Sequence, residues 1–141
     1  MYRSFGCEAI NNEQLTMNNW DCGMKDQNIV KDKSMDFSVR IVGLYKYLSE
    51  KQHESVISKQ VLRSGTSIGA NVREAIYGQS KKDFISKMSI ALKEAAETEY
   101  WLELLHRTNY LKEDAYKSIL SDCQEICKLL TSIVNSTKNS N

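Results

Sequence analysis

No proline occurs anywhere in the 141 residues of this chain. Inside a helix proline removes a backbone donor and clashes with the preceding turn, so its complete absence suits long, uninterrupted helices. The length fits one domain, and a domain near this size buries roughly two-thirds of the surface its unfolded chain exposes. Hydrophobic residues at 41% and charged residues at 26% exclude a chain too polar to collapse. No apolar run approaches the roughly 18 residues that cross a bilayer, so no membrane partner is expected. The first residues lack the basic segment and apolar block of a secretory signal.

Apolar spacing predicts four helices. The first is expected over Asp32–Lys51, where Phe37, Ile41, Leu44 and Leu48 fall on one face, with Ser34 and Asp36 suited to its start. The second, over Ser55–Gly78, carries Ile57, Val61, Ile68, Val72 and Ala75. Gly65 and Gly69 lie inside it at about 1 kcal/mol each against alanine, which implies a close helix approach. Gly78 suits a left-handed C-terminal cap. The third opens at Ser80 with a capping-box-like Ser-Lys-Lys-Asp and runs to Arg107 along Phe84, Met88, Ala91, Ala95 and Leu102. The fourth, over Glu113–Asn135, spaces Tyr116, Ile119, Cys123, Ile126, Cys127, Leu130 and Val134 close to a heptad seam. Short connections make neighbours antiparallel, so the expected fold is all-α: an up-down-up-down four-helix bundle over residues 29–136.

Residues 1–28 show no periodicity and read as a disordered extension; Met24 is a candidate translation start within it. Residues 137–141 read as a frayed tail. Net charge is +1, too weak to force a nucleic-acid partner. Of the four cysteines, Cys7, Cys22, Cys123 and Cys127, the last two lie one turn apart on an apolar stripe. They read as reduced core residues of a cytoplasmic protein.

Three constellations could carry function. On the second helix Gln60, Ser64, Ser67, Asn71 and Glu74 line up beside the apolar stripe, with Arg63 at the margin. Such a row is either a hydrogen-bond network fixing register, with Glu94, Thr98 or Glu99 opposite, or a binding surface. On the third helix Ile90, Tyr100, Trp101 and Leu104 lie off the core stripe, which points to an oligomer interface. Lys81, Lys82 and Lys87, with Arg73 nearby in sequence, form a candidate phosphate-binding patch or a merely solvated face.

Chemistry has little to stand on. No phosphate-cradling glycine loop, nucleophile elbow or His-Glu-x-x-His occurs, so the chain is not expected to be an enzyme or to need a cofactor. His106, Cys123, Cys127 and Glu99 are the candidate metal ligands. Zinc sites usually show tighter paired spacings, and no metal is expected.

Two long segments add a resemblance. Gln60-Val-Leu-Arg-Ser-Gly-Thr-Ser-Ile-Gly-Ala-Asn-Val-Arg-Glu-Ala75, followed by Lys82-Asp-Phe84 and Ile90-Ala-Leu-Lys-Glu-Ala-Ala-Glu-Thr-Glu-Tyr-Trp-Leu102, resembles the bacterial 23S rRNA intervening-sequence protein family. Asp32-Lys-Ser-Met-Asp-Phe-Ser-Val-Arg-Ile41 is similar to the family's first helix, while Gly65 stands where the family more often has alanine. The resemblance implies an antiparallel four-helix bundle, some members being encoded within 23S rRNA genes. Accessory variability determinant proteins of diversity-generating retroelements are similar in fold, assemble as pentamers, and bind nucleic acid and a reverse transcriptase. Carried over by motif, the positions of interest are Arg63, Ser64, Ser67, Asn71, Glu74, Glu94, Glu97 and Trp101.

The reading is therefore a homo-oligomeric scaffold, pentameric by resemblance, that associates with RNA or DNA through Arg63, Arg73, Lys81 and Lys82. The rival is a module that docks another protein and never touches nucleic acid.

Overall fold

The computed structural model describes residues 24–140. Four helices account for nearly all of them: α1 (Met24–Glu50), α2 (Ile57–Ile76), α3 (Lys81–Arg107) and α4 (Glu113–Asn139). Each packs against the next in sequence, and α1 closes the ring against α4. This is the expected up-down-up-down bundle, without a strand among the described residues.

The predicted stripes form the core. Phe37, Ile41 and Leu48 of α1 meet Val61, Ile68 and Val72 of α2, Phe84, Met88 and Leu102 of α3, and Ile126 and Leu130 of α4, all fully buried. Burial of each large side chain stabilises the fold by about 1.5–3 kcal/mol. Ile57, Tyr116 and Cys127 are only half-buried, at the margin of that core.

Both ends of the bundle exceed the expected bounds. Helix α1 starts at Met24, inside the segment 1–28 read as an extension and eight residues ahead of Asp32. The added turns place Gln27 and Val30 in the interior. Ser34 and Asp36 are thus mid-helix, and the Ser34 hydroxyl donates to the Lys31 carbonyl at 3.0 Å. Residues 1–23 lie outside the described residues. At the other end, the tail expected to fray from residue 137 stays helical to Asn139. Thr137 is fully buried there, and its hydroxyl donates to the Ile133 carbonyl at 2.7 Å.

The glycines of α2 have the expected packing reason. A Cβ on Gly65 would lie 2.8 and 2.9 Å from Ile41 Cγ1 and Cγ2, and one on Gly69 would lie 3.4 Å from the Ser34 carbonyl. Helix α1 therefore rides close over α2. Gly78 differs from expectation. Its φ is outside the left-handed region, and α2 ends at Ile76 with Tyr77 as its C-cap. Gly78 is needed for space: a Cβ would lie 2.9 Å from the Ala75 carbonyl and 3.1 Å from Asp83 Oδ2.

Two caps set the chain reversals. Ser80 caps α3 by accepting from the Asp83 amide at 3.0 Å, and Asp83 Oδ2 accepts in return from the Gln79 amide at 3.3 Å. Before α2, the chain turns through His53 at φ 55°. It then buries Glu54, whose carboxylate accepts from the amides of Val56, Ile57 and Ser58 at 2.7, 2.6 and 2.8 Å. Three otherwise orphaned donors at the start of α2 are satisfied by one side chain.

Candidate functional site

The polar row of α2 faces α3. Ser64 is fully buried there with its Oγ 2.9 Å from Thr98 Oγ1, and the Thr98 hydroxyl donates to the Glu94 carbonyl at 2.7 Å. Toward solvent, Arg63 reaches across to Glu94 at 3.4 Å and to Glu97 through a short ion pair, with its Nε 3.4 Å from Gln60 Oε1. Glu97 Oε2 also accepts from Trp101 Nε1 at 2.8 Å. Ser67 and Asn71 turn back to helix carbonyls, Ser64 O at 3.0 Å and Ser67 O at 2.8 Å. Glu74 pairs with Lys87 at 3.0 Å. Every member of the expected row thus has an internal partner. Thr98 and Glu94 were expected opposite; the link from Glu97 to Trp101 was not.

The candidate phosphate contacts fall in different places. Arg63 is held by two carboxylates. Lys81 Nζ donates to the Ser140 carbonyl, at the far end of α4. Lys82 is exposed at the start of α3. Arg73 borders a groove of about 280 Å³ between α1 and α2, with Lys31 on the other wall. Arg73 and Lys31 are half-buried, and neither side chain has an ion-pair partner among the described residues. The groove's hydroxyls are spent locally: Ser38 donates to Ser34 O at 3.0 Å and Thr66 to Leu62 O at 2.7 Å. Gly69, Ala70 and Met35 complete its lining. The sequence could not show this groove, because it needs α1 and α2 side by side with Lys31 opposite Arg73.

The α3 residues read as an interface are not equally available. Tyr100 is 58% exposed and Ile90 38%. Trp101 and Leu104 are half-buried, and Trp101 packs on the core. The Tyr100 and Trp101 rings meet edge to face at 4.9 Å. A second apolar stripe went unnoticed in the sequence. Met35, Val39 and Val42 lie along the outer face of α1, exposed by 48%, 65% and 38%. Gly43 continues the stripe with nothing within 4 Å of a Cβ placed on it.

Between α3 and α4, Cys127 Sγ donates to Glu99 Oε1 at 3.2 Å and buried Cys123 Sγ to the Ala95 carbonyl at 3.4 Å. A hydrogen bond with Cys127, then burial, pushes the Cys123 thiol far above its ordinary range. His106 is elsewhere: its ring stacks on Tyr116 at 4.3 Å, with Nδ1 3.0 Å from the Leu111 carbonyl. Burial of Tyr116 raises its phenol.

These features define a class: an antiparallel four-helix bundle whose α2/α3 seam is closed by polar pairs, with a cationic groove left open beside α1. Residues 26–132 match the family described as 23S rRNA-intervening sequence protein, and the chain belongs to that family. A crystal structure at 1.70 Å resolution of a protein of unknown function from the S23 ribosomal protein family, from Bacteroides thetaiotaomicron VPI-5482, is similar in sequence and fold. The two chains are 63% identical, with a TM-score of 0.78 over 78% of this chain and 98% of the other. No curated protein matches the chain in sequence. No helix among the described residues is long and apolar enough to cross a membrane.

Proposed function

We propose that this protein is a non-enzymatic, cytoplasmic, self-assembling scaffold that associates with RNA. The observation that carries the nucleic-acid part is the half-buried Arg73 beside Lys31, cationic and without a carboxylate partner among the described residues, at the rim of the α1/α2 groove. Guanidinium and ammonium groups left in this state are suited to phosphate oxygens. Lys82 extends the same chemistry at the start of α3. Arg63 and Lys81, by contrast, are satisfied internally and contribute less. The match to an rRNA-intervening sequence family supports RNA over DNA as the first ligand to test. Exposed Tyr100 and Ile90 supply apolar surface for assembly, and a pentamer is the state to test first.

Light scattering after size exclusion, with absorbance at 260 and 280 nm, tests both parts on protein purified without nuclease. The expected result is a mass several times the monomer with excess 260 nm absorbance. In salt titrations, Arg73→Glu with Lys82→Glu should weaken RNA binding and flatten the slope of log affinity on log salt by about 2, one unit per lost phosphate contact. An unchanged slope removes these two contacts from the reading.

A second reading rests on the outer stripe of α1. Met35, Val39 and Val42 expose apolar surface that no other part of the described chain covers, which suits docking of another protein, a reverse transcriptase among the candidates. A monomer free of nucleic acid would favour this reading over the first.

A further inference from the structure

We infer that Cys123, Cys127 and Glu99 form a binding site for a soft divalent cation, zinc, that ties α3 to α4. Their ligand atoms, the two Sγ and a carboxylate oxygen, all lie within 4.8 Å of one another. Two thiolates on a tetrahedral zinc ion sit about 3.8 Å apart, given bonds of about 2.3 Å, so small side-chain adjustments suffice. The helix spacing serves this geometry. Cys123 and Cys127 are one turn apart on α4 and face the same way, while Glu99 approaches from α3.

The electrostatics point to a cation as well. Glu99 is half-buried, and among the described residues its only hydrogen-bond partner is the Cys127 thiol; no lysine, arginine or histidine pairs with it. Elsewhere at the seams, carboxylates such as Glu94, Glu97 and Asp122 have cationic partners. Two sulfurs and one oxygen select zinc over magnesium or calcium, which take all-oxygen sites. Binding releases the two thiol protons to solvent, and the three ligands leave a fourth position for water. The depth of Cys123 makes this a clamp between helices, since the metal would join the core of one to the flank of the other.

Cobalt(II) is the probe, because thiolate ligation gives it a charge-transfer band in the near ultraviolet and tetrahedral geometry gives strong visible bands. The full chain should carry Cys7→Ser and Cys22→Ser, which removes the only other thiols. It should be reduced and stripped of metal. One equivalent of cobalt is expected to saturate both sets of bands, and zinc to bleach them and raise Tm. Cys127→Ser, at a half-buried position that tolerates the change, should cut the charge-transfer intensity to about half or less. Glu99→Gln should weaken cobalt binding by about 10-fold or more while keeping that band. No charge-transfer band at saturating cobalt overturns the inference. So does a Cys127→Ser or Glu99→Gln titration that matches the parent.

Discussion

The two flanks of α2 carry similar residues and treat them in opposite ways. Toward α3, polar groups meet across the seam: Ser64 with Thr98, Arg63 with Glu94 and Glu97, Glu74 with Lys87. Toward α1, glycines bring the backbones together, and the hydroxyls of Ser34, Ser38 and Thr66 bond only to carbonyls of their own helices. No side-chain hydrogen bond or ion pair joins α1 to α2 among the described residues. A charge that finds its counter-charge inside the fold is part of the architecture, whereas one left unpaired at a groove is available to a ligand. By that criterion Arg63 is structural and Arg73 is the candidate contact.

The largest expected effect that would test the contrast is Ser64→Leu. It forces a bulky side chain into a fully closed seam and removes the hydroxyl partner of Thr98, and urea denaturation should show a loss of about 2–3 kcal/mol. A loss below about 0.5 kcal/mol would mean the seam is looser than the Ser64–Thr98 contact implies. Next is Gly43→Ala. Nothing lies near the added methyl group, so the isolated bundle should gain about 1 kcal/mol of stability. The same change should leave self-assembly through Tyr100 and Ile90 unaltered in equilibrium sedimentation; weaker assembly would place α1's outer stripe in the contact between copies.

Smaller still is Arg63→Ala. Its ion pairs are nearly half solvent-exposed on the arginine side, so a cost of about 0.5 kcal/mol is expected, shrinking as salt is added. A cost above about 2 kcal/mol would show that Glu97, shared with Trp101, cannot stand alone in the seam. Arg73→Ala should leave stability unchanged within about 0.5 kcal/mol while reducing RNA affinity. A clear loss of stability there would erase the distinction between the two flanks.

Much of this was legible in the sequence because helical periodicity reports it directly. The stripes of Phe37, Val61, Phe84 and Ile126 form the core, and the α2 polar row was visible from spacing; of the three partners offered for it, Thr98 and Glu94 meet the row, while Glu99 turns to Cys127 instead. The start of α1 was not, because Gln27 and Val30 offer too few apolar residues to reveal an additional helical face. Glu54 was missed for another reason. A glutamate is an unusual cap, and its three amide bonds depend on His53 adopting positive φ, which no side-chain pattern announces. Glu99 and the two cysteines stand in the sequence as candidate ligands together with His106, which packs elsewhere; Lys31 with Arg73, and the exclusion of His106, are matters of how different helices meet. They follow from lateral packing and rotation, to which a single helix's periodicity is blind.

The ring of helices also sets an order in time. Neighbouring helices are joined by short turns and can pair early, but α1 and α4 must find each other across nearly the whole chain. Their latches, Lys33 to Glu125 and Arg40 to Asp122, span 92 and 82 positions, and this is the sparsest of the four seams. Closing such long loops costs the most chain entropy and returns the fewest contacts. The α1–α4 seam is therefore the last to zip and the first to breathe, and a partner that needs the bundle ajar would enter there.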